Sequence, residues 1–142
     1  MKHKYLILLN IFILSLVTGC AQLPPTPADI HAKKFEALPD KAVIYIVRPL
    51  VDGNVHGPLS IPGGMIATQP GTYYRWEGPP GTHHISGAAA WGASVTLQTK
   101  AGEIYFVEQI ATGDARDGLK TMSLRRIDEA RGRRMVNQAS LL

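Results

Sequence analysis

Two adjacent histidines, His83 and His84, are the residues of this chain best suited to chemistry, because an imidazole serves both as general base and as metal ligand. Neighbours in a strand point to opposite faces, so the pair cannot easily hold one ion. His56 adds a third imidazole, but no carboxylate or cysteine at ligand spacing completes a set, and no metal or other cofactor is expected. The plainer expectation is that one histidine packs beside a turn and the other is solvated. Nucleophilic catalysis would need Ser86 or Ser94 beside a base. His84 and Ser86 share a strand face, yet no Gly-x-Ser-x-Gly elbow is present. Glu77, Glu103 and Glu108 could include an acid–base pair, although carboxylates are most often solvated surface groups. The chain is therefore read as a non-enzyme, with a hydrolase or metal enzyme using His83 or His84 as the alternative.

Aromatic rings offer a different chemistry. Trp76 and Trp91, with Tyr73, Tyr74 and Tyr105, would make a platform on which sugars stack. The same rings also fill the core of a small β domain, and the sequence leaves both uses open. Tyr73, Trp76, Trp91, His83 and His84 are thus the candidate ligand or partner surface. Trp91 sits in GAAAWGA (residues 87–93), a small-residue run that suits close approach of a partner or a loop.

The lone cysteine excludes an intramolecular disulfide, so its position decides its use. Lys2, His3 and Lys4 precede an almost wholly apolar run over residues 5–17. This is the charged-then-apolar layout of a secretory signal. Its thirteen residues span about 20 Å as a helix, short of the roughly 30 Å hydrocarbon core. Val17-Thr18-Gly19-Cys20 then resembles the lipobox of bacterial lipoproteins. That resemblance implies cleavage between Gly19 and Cys20, diacylglycerol on the thiol and usually an acylated amino terminus. Cys20 is then a tether to the lipid bilayer through its acyl chains. One chain alone binds only marginally, whereas two or three make release slow. Ala21 follows the cysteine, where an Asp would resemble an inner-membrane retention signal. The expected address is the cell envelope, with the outer membrane facing the periplasm favoured.

Without Lys2 and Lys4 the chain keeps thirteen basic and eleven acidic side chains, a net charge near +2. The one dense basic cluster, Arg125, Arg126, Arg131, Arg133 and Arg134, is interrupted by Asp128 and Glu129, so no nucleic-acid partner is expected. The expected partner besides lipid is an envelope protein or a glycan such as peptidoglycan.

The elements that must position these residues are mostly strands. Charged residues make up only 18% of the chain and Gly plus Pro are abundant, which suits a turn-rich β domain. KAVIYIVR (residues 41–48) is apolar on both faces and suits a central strand covered on each side, ended by Pro49. Brief strands are expected over 59–61 and 65–68, then over 72–77 and 83–88. Gly78-Pro79-Pro80-Gly81 makes the turn between the last two. Residues 93–99 alternate apolar and polar as a half-buried strand, and residues 100–103 read as a hairpin turn. Residues 104–110 are apolar on both faces, residues 113–118 form a polar loop, and a last strand covers 120–127. Asp128 caps a short final helix to about residue 138, weakened by Gly132. A short helix over 28–38 would turn Ala32, Phe35 and Leu38 to the core. The expected fold is all-β: an antiparallel β-sandwich of about seven strands with a short C-terminal helix. Its expected divisions are a signal (residues 1–19), a lipidated cysteine with a Pro-rich spacer (20–39) and the β-sandwich domain (40–142).

KAVIYIVRP (41–49), GTYYRWEGPPGTHHIS (71–86), AGEIYFVE (101–108) and LRRIDEARGR (124–133), in this order, resemble a family of small bacterial lipoproteins known only as a domain of unknown function. The resemblance covers nearly all of residues 41–136, with the Pro80-Gly81-Thr82-His83 turn as its tightest element. Ile61-Pro62-Gly63-Gly64 departs from it, since the family often has a strand and an Asp-Gly turn there. The resemblance implies a β-sandwich and an envelope address, and no activity.

Overall fold

A computed structural model of the chain describes residues 24–50, 55–87, 93–114 and 116–142. The expected signal segment, Cys20 and Trp91 lie outside the described residues. Among the described residues the strands are β1 (Ala42–Val47), β2 (Gly57–Ile61), β3 (Gly64–Thr68), β4 (Thr72–Gly78), β5 (Gly81–Gly87), β6 (Ser94–Thr99), β7 (Ile104–Asp114), β8 (Gly118–Ile127) and β9 (Ser140–Leu141). Two helices accompany them, α1 (Pro27–Ala32) and α2 (Glu129–Asn137). The strands form a five-stranded sheet in the order β8-β7-β1-β4-β9 and a four-stranded sheet in the order β3-β2-β5-β6.

β1 explains the layering. Successive side chains of a strand point to opposite faces, and every residue of β1 is buried. Ala42, Ile44 and Ile46 meet Leu59, Ile61, Ile85 and Leu97 of the four-stranded sheet, together with Tyr105, Val107 and Met122 of their own. Val43, Tyr45 and Val47 instead join Ala32, Phe35, Tyr73, Phe106, Val136 and Ala139 under the helices. Hence the run is apolar on both faces: one face meets the second sheet and the other meets the helical layer.

The coarse expectation of two sheets and a short C-terminal helix matches this architecture, and four finer expectations are corrected. First, there are nine strands among the described residues rather than about seven. Second, the pairing is not wholly antiparallel, because β1–β7 and β4–β9 are parallel. Third, residues 100–103 do not close a hairpin: β6 pairs with β5 while β7 pairs with β1 and β8, so this turn carries the chain from one sheet to the other. Fourth, the helix expected over 28–38 is shorter: α1 stops at Ala32, and Phe35 then adopts φ 53. That left-handed conformation is costly for a bulky residue. It is held here by burial of the ring against Tyr45 at 5.3 Å and Phe106 at 6.1 Å.

α2 begins where expected. The Asp128 side chain accepts from the Arg131 N–H as N-cap. Gly132, which looked like a weakness, faces the sheet: a Cβ there would stand 2.2 Å from Phe106 Cγ. Phe106 cannot yield, since its ring stacks on Tyr45 at 5.3 Å and it is 1% exposed. Alanine at position 132 would gain about 1 kcal/mol of helix propensity, but overpacking costs about 1–3 kcal/mol. We therefore expect Gly132→Ala to lower the urea midpoint. A raised midpoint would show that the close approach of α2 to the sheet does not limit stability.

Candidate functional site

His83 and His84 occupy β5, and the alternation of the strand separates them. His83 is buried, its Nε2 lies 2.9 Å from the Pro79 carbonyl, and its ring meets Trp76 edge-on at 4.6 Å. His84 is exposed, with Nδ1 3.1 Å from Thr96 Oγ1. Among the described residues no three His, Cys, Asp or Glu side chains are grouped to hold a metal. These contacts assemble neither a nucleophile with its base nor a ligand set. His56 is exposed before β2 and stands apart from both, in a small recess with Val55, Gln69 and Pro70.

The aromatic residues divide between layers. Trp76 is half-buried on the inter-sheet cluster, donates from Nε1 to the Pro62 carbonyl at 3.0 Å, and lies against Gly78, where a Cβ would stand 2.2 Å from the indole. Tyr73 has no exposed surface, which corrects its place in a ligand platform: it lies under α1 in the other core. Its hydroxyl donates to Asp29 Oδ1 at 2.7 Å. Burial, and next the Asp29 carboxylate, push the phenol far above its ordinary range. Tyr105 is buried in the inter-sheet core and donates to Glu103.

Asp29 is one polar centre that sequence reasoning missed. It is 4% exposed, and it accepts from Lys33 Nζ at 2.9 Å and from the Leu141 backbone N–H at 3.1 Å as well as from Tyr73. Burial raises its pKa, but these hydrogen bonds and the Lys33 charge outweigh burial and leave it lowered. One carboxylate thus ties α1 to β4 and to the C-terminal β9. Glu108 is a second such centre. It is 2% exposed and faces two guanidinium groups, Arg125 at 2.5 Å and Arg131 at 2.7 Å. Burial raises its pKa, and the hydrogen bonds and charges of Arg131 and Arg125 more than offset that, so it too is lowered. A glutamate within a run apolar on both faces was the available signal, because a charge there must find a partner. Glu77 pairs with Arg75. The three glutamates therefore have separate partners and form no acid–base pair.

Arg126 and Arg133 of the arginine cluster are likewise engaged. Arg133 pairs with Glu129 and lies over the Phe35 ring at 4.6 Å, and Arg126 lies over Tyr105 at 5.1 Å.

No family model matches the chain, and no curated protein and no solved structure matches it. Function must therefore be argued from its own surfaces. The outer face of the four-stranded sheet is the most distinctive of these. Thr82, His84 and Ser86 of β5 and Ser94, Thr96 and Gln98 of β6 point outward, and the Thr82 hydroxyl donates to Gln98 Oε1 at 2.9 Å. Ser60 of β2 stands opposite Ser86, which stands opposite Ser94, so three serines form one row across three strands. None of these residues is an acid, a lysine or an arginine. A cleft of ≈570 Å³ lies instead at the chain entry, between Pro24, Thr26, Asp29 and Lys33 on one side and Asn137 and Ser140 on the other.

Proposed function

We propose that this chain is a membrane-anchored envelope lipoprotein of the resembled family, whose β-sandwich domain binds or scaffolds another envelope component without transforming it. The observation that carries the reading is Val17-Thr18-Gly19-Cys20 directly after the apolar run of residues 5–17. Ala21 after the cysteine supports the outer membrane, with the domain in the periplasm. The separation of His83 from His84, and the pairing of the buried acids with Arg, Lys and Tyr, support a domain built for stability rather than for turnover. The decisive experiment is crosslinking of the native protein in membranes, followed by mass spectrometry of its partners and of the peptide beginning at Cys20. An acylated Cys20 and one reproducible envelope partner are expected. An unmodified Cys20 with residues 1–19 still attached would overturn the reading.

A second reading, in which the partner is a wall or surface glycan, is favoured by the hydroxyl-bearing face of the four-stranded sheet. Its hydroxyl, amide and imidazole groups offer hydrogen-bond donors and acceptors that match sugar hydroxyls. Here His84→Ala combined with Thr96→Ala is expected to reduce retention on immobilised wall fragments at least about tenfold, the loss of a few polar contacts. Unchanged retention, or none in the parent protein, would remove this reading.

A further inference from the structure

The described residues expose four large hydrophobic side chains: Leu50 at 75%, Met65 at 68%, Ile30 at 53% and Leu142 at 46%. Three of them gather where the chain enters the fold. Val47 at the end of β1 pairs with Tyr73 at the start of β4, and Thr72 pairs with Ser140 at the start of β9. Gly71 donates to the Arg48 carbonyl and Ser140 donates to that of Gly71, which brings the ends of β1, β4 and β9 together. Leu50 lies at this end, its Cδ1 3.0 Å from where a Cβ on Gly71 would stand. α1 descends from the same end: Thr26 caps it, Asp29 binds the Leu141 N–H, and Ala32 reaches Tyr45 lower down β1. Ile30 sits on its outer side, and Leu142 follows β9, donating to the Tyr73 carbonyl. Met65 belongs to the opposite end, next to the β2–β3 turn at Pro62 and Gly63.

Scattered exposed apolar side chains need no explanation; three beside the chain entry do. We propose that this end of the domain lies against the lipid surface, with Ile30, Leu50 and Leu142 as its contacts. The proposal rests on the Cys20 anchor and deepens it by naming the face that meets the bilayer. Cys20 precedes Pro24 by four residues, a reach of at most about 14 Å. Acyl chains on Cys20 hold that residue at the interface, so the entry end can stand no further away than this reach. Apolar side chains presented there insert at the headgroup–acyl boundary, as they do for interfacial segments.

The test uses the full chain, processed in cells and reconstituted in phosphatidylethanolamine–phosphatidylglycerol vesicles. Ile30→Cys, Leu50→Cys, Leu142→Cys and Met65→Cys are each labelled with an environment-sensitive fluorophore. An acylated Cys20 has no free thiol, so only the new cysteine reacts. Quenching by lipids bearing a shallow nitroxide is expected to be at least about threefold stronger at positions 30, 50 and 142 than at 65, as depths of about 5–10 Å require. Equal quenching at all four positions, with Cys20 acylated by mass, overturns the orientation and leaves the anchor standing. Shielding of positions 30, 50 and 142 from soluble iodide without lipid quenching also overturns it, and assigns the face to a second copy or another protein. An unmodified Cys20 overturns the anchor and the orientation together.

Discussion

Replacing Arg125 and Arg131 together with glutamine is expected to destabilise the fold by about 3–5 kcal/mol and to reverse the sign of the Glu108 contribution to its acid dependence. The reason is an asymmetry of burial. Glu108 is 2% exposed, whereas the Arg125 and Arg131 side chains are 56% and 44% exposed. With the arginines gone, the carboxylate stays in the helix-covered face without a charge partner. With Glu108 changed to glutamine, the guanidinium groups swing into water, so that variant should lose less, about 1.5–3 kcal/mol for charged hydrogen bonds. The pH dependence separates the two cases. In the parent protein the Glu108 pKa is lowered from 4.5. Its contribution is present above that value and is lost as pH falls through the folded pKa. In the double variant burial acts alone and raises the pKa. The contribution is then fully present below the unfolded value and is lost as pH rises through the folded one. Asp29 and Asp128, also lowered, act in the same direction in both proteins and drop out of the comparison. Urea unfolding of parent, single and double variants between about pH 3 and pH 7 reads these signs. A double variant that keeps the parent's acid sensitivity would show that another group carries it.

This buried acid also marks where sequence reasoning stops. Strand positions were legible wherever alternation or an apolar run was strong. Leu97 points inward while Ser94, Thr96 and Gln98 point out, and β1 is covered on both faces, as its composition required. The Asp128 cap was legible because an N-cap is a local device. Strand partners were not. Lys100-Ala101-Gly102-Glu103 has the residues of a tight turn, and a turn of that chemistry serves equally to close a hairpin or to cross between sheets. Which occurs depends on where β1 lies, some sixty residues earlier in the chain. The parallel β1–β7 pairing and the two-residue β9 carry no turn signal at all, because their partners are joined through tertiary packing. The two histidines were separable from the strand period alone. Which one is buried depended on the face of β5 that meets the other sheet. Tyr73 and Trp76 were indistinguishable as core or platform, since both uses need the same ring. Their opposite faces on β4 send one under α1 and the other between the sheets.

Arg48 offers the strongest test of how the two sheets are held in register at the chain-entry end. It follows β1 with no exposed surface. Its Nη1 donates to the Val55 carbonyl at 2.6 Å and to the Thr68 carbonyl at 3.1 Å, and its Nη2 donates to that of Ala111 at 3.4 Å. Ala111 belongs to β7 of the five-stranded sheet, Thr68 ends β3 of the four-stranded sheet, and Val55 leads into β2. Beside this fork the Thr68 hydroxyl lies 2.6 Å from Gln109 Oε1, and Gln109 Nε2 donates to the Gly57 carbonyl. A planar guanidinium spreads five donors over a rigid fork that reaches carbonyls from separate strands, whereas lysine offers three donors from a single nitrogen on a flexible stem. We expect Arg48→Met, of comparable bulk, to cost about 3–5 kcal/mol, because buried acceptors lose their donor. Arg48→Lys should recover less than half of that loss. Hydrogen exchange should locate the damage: faster exchange in β2 and β3 with the middle of β1 still protected. The opposite outcome is also physically defined. Replacing a buried charge by an apolar side chain can stabilise a fold when the freed acceptors find other partners. A more stable Arg48→Met protein would therefore mean that the apolar contacts between the sheets set their register, and that the arginine only satisfies carbonyls which packing has already brought together.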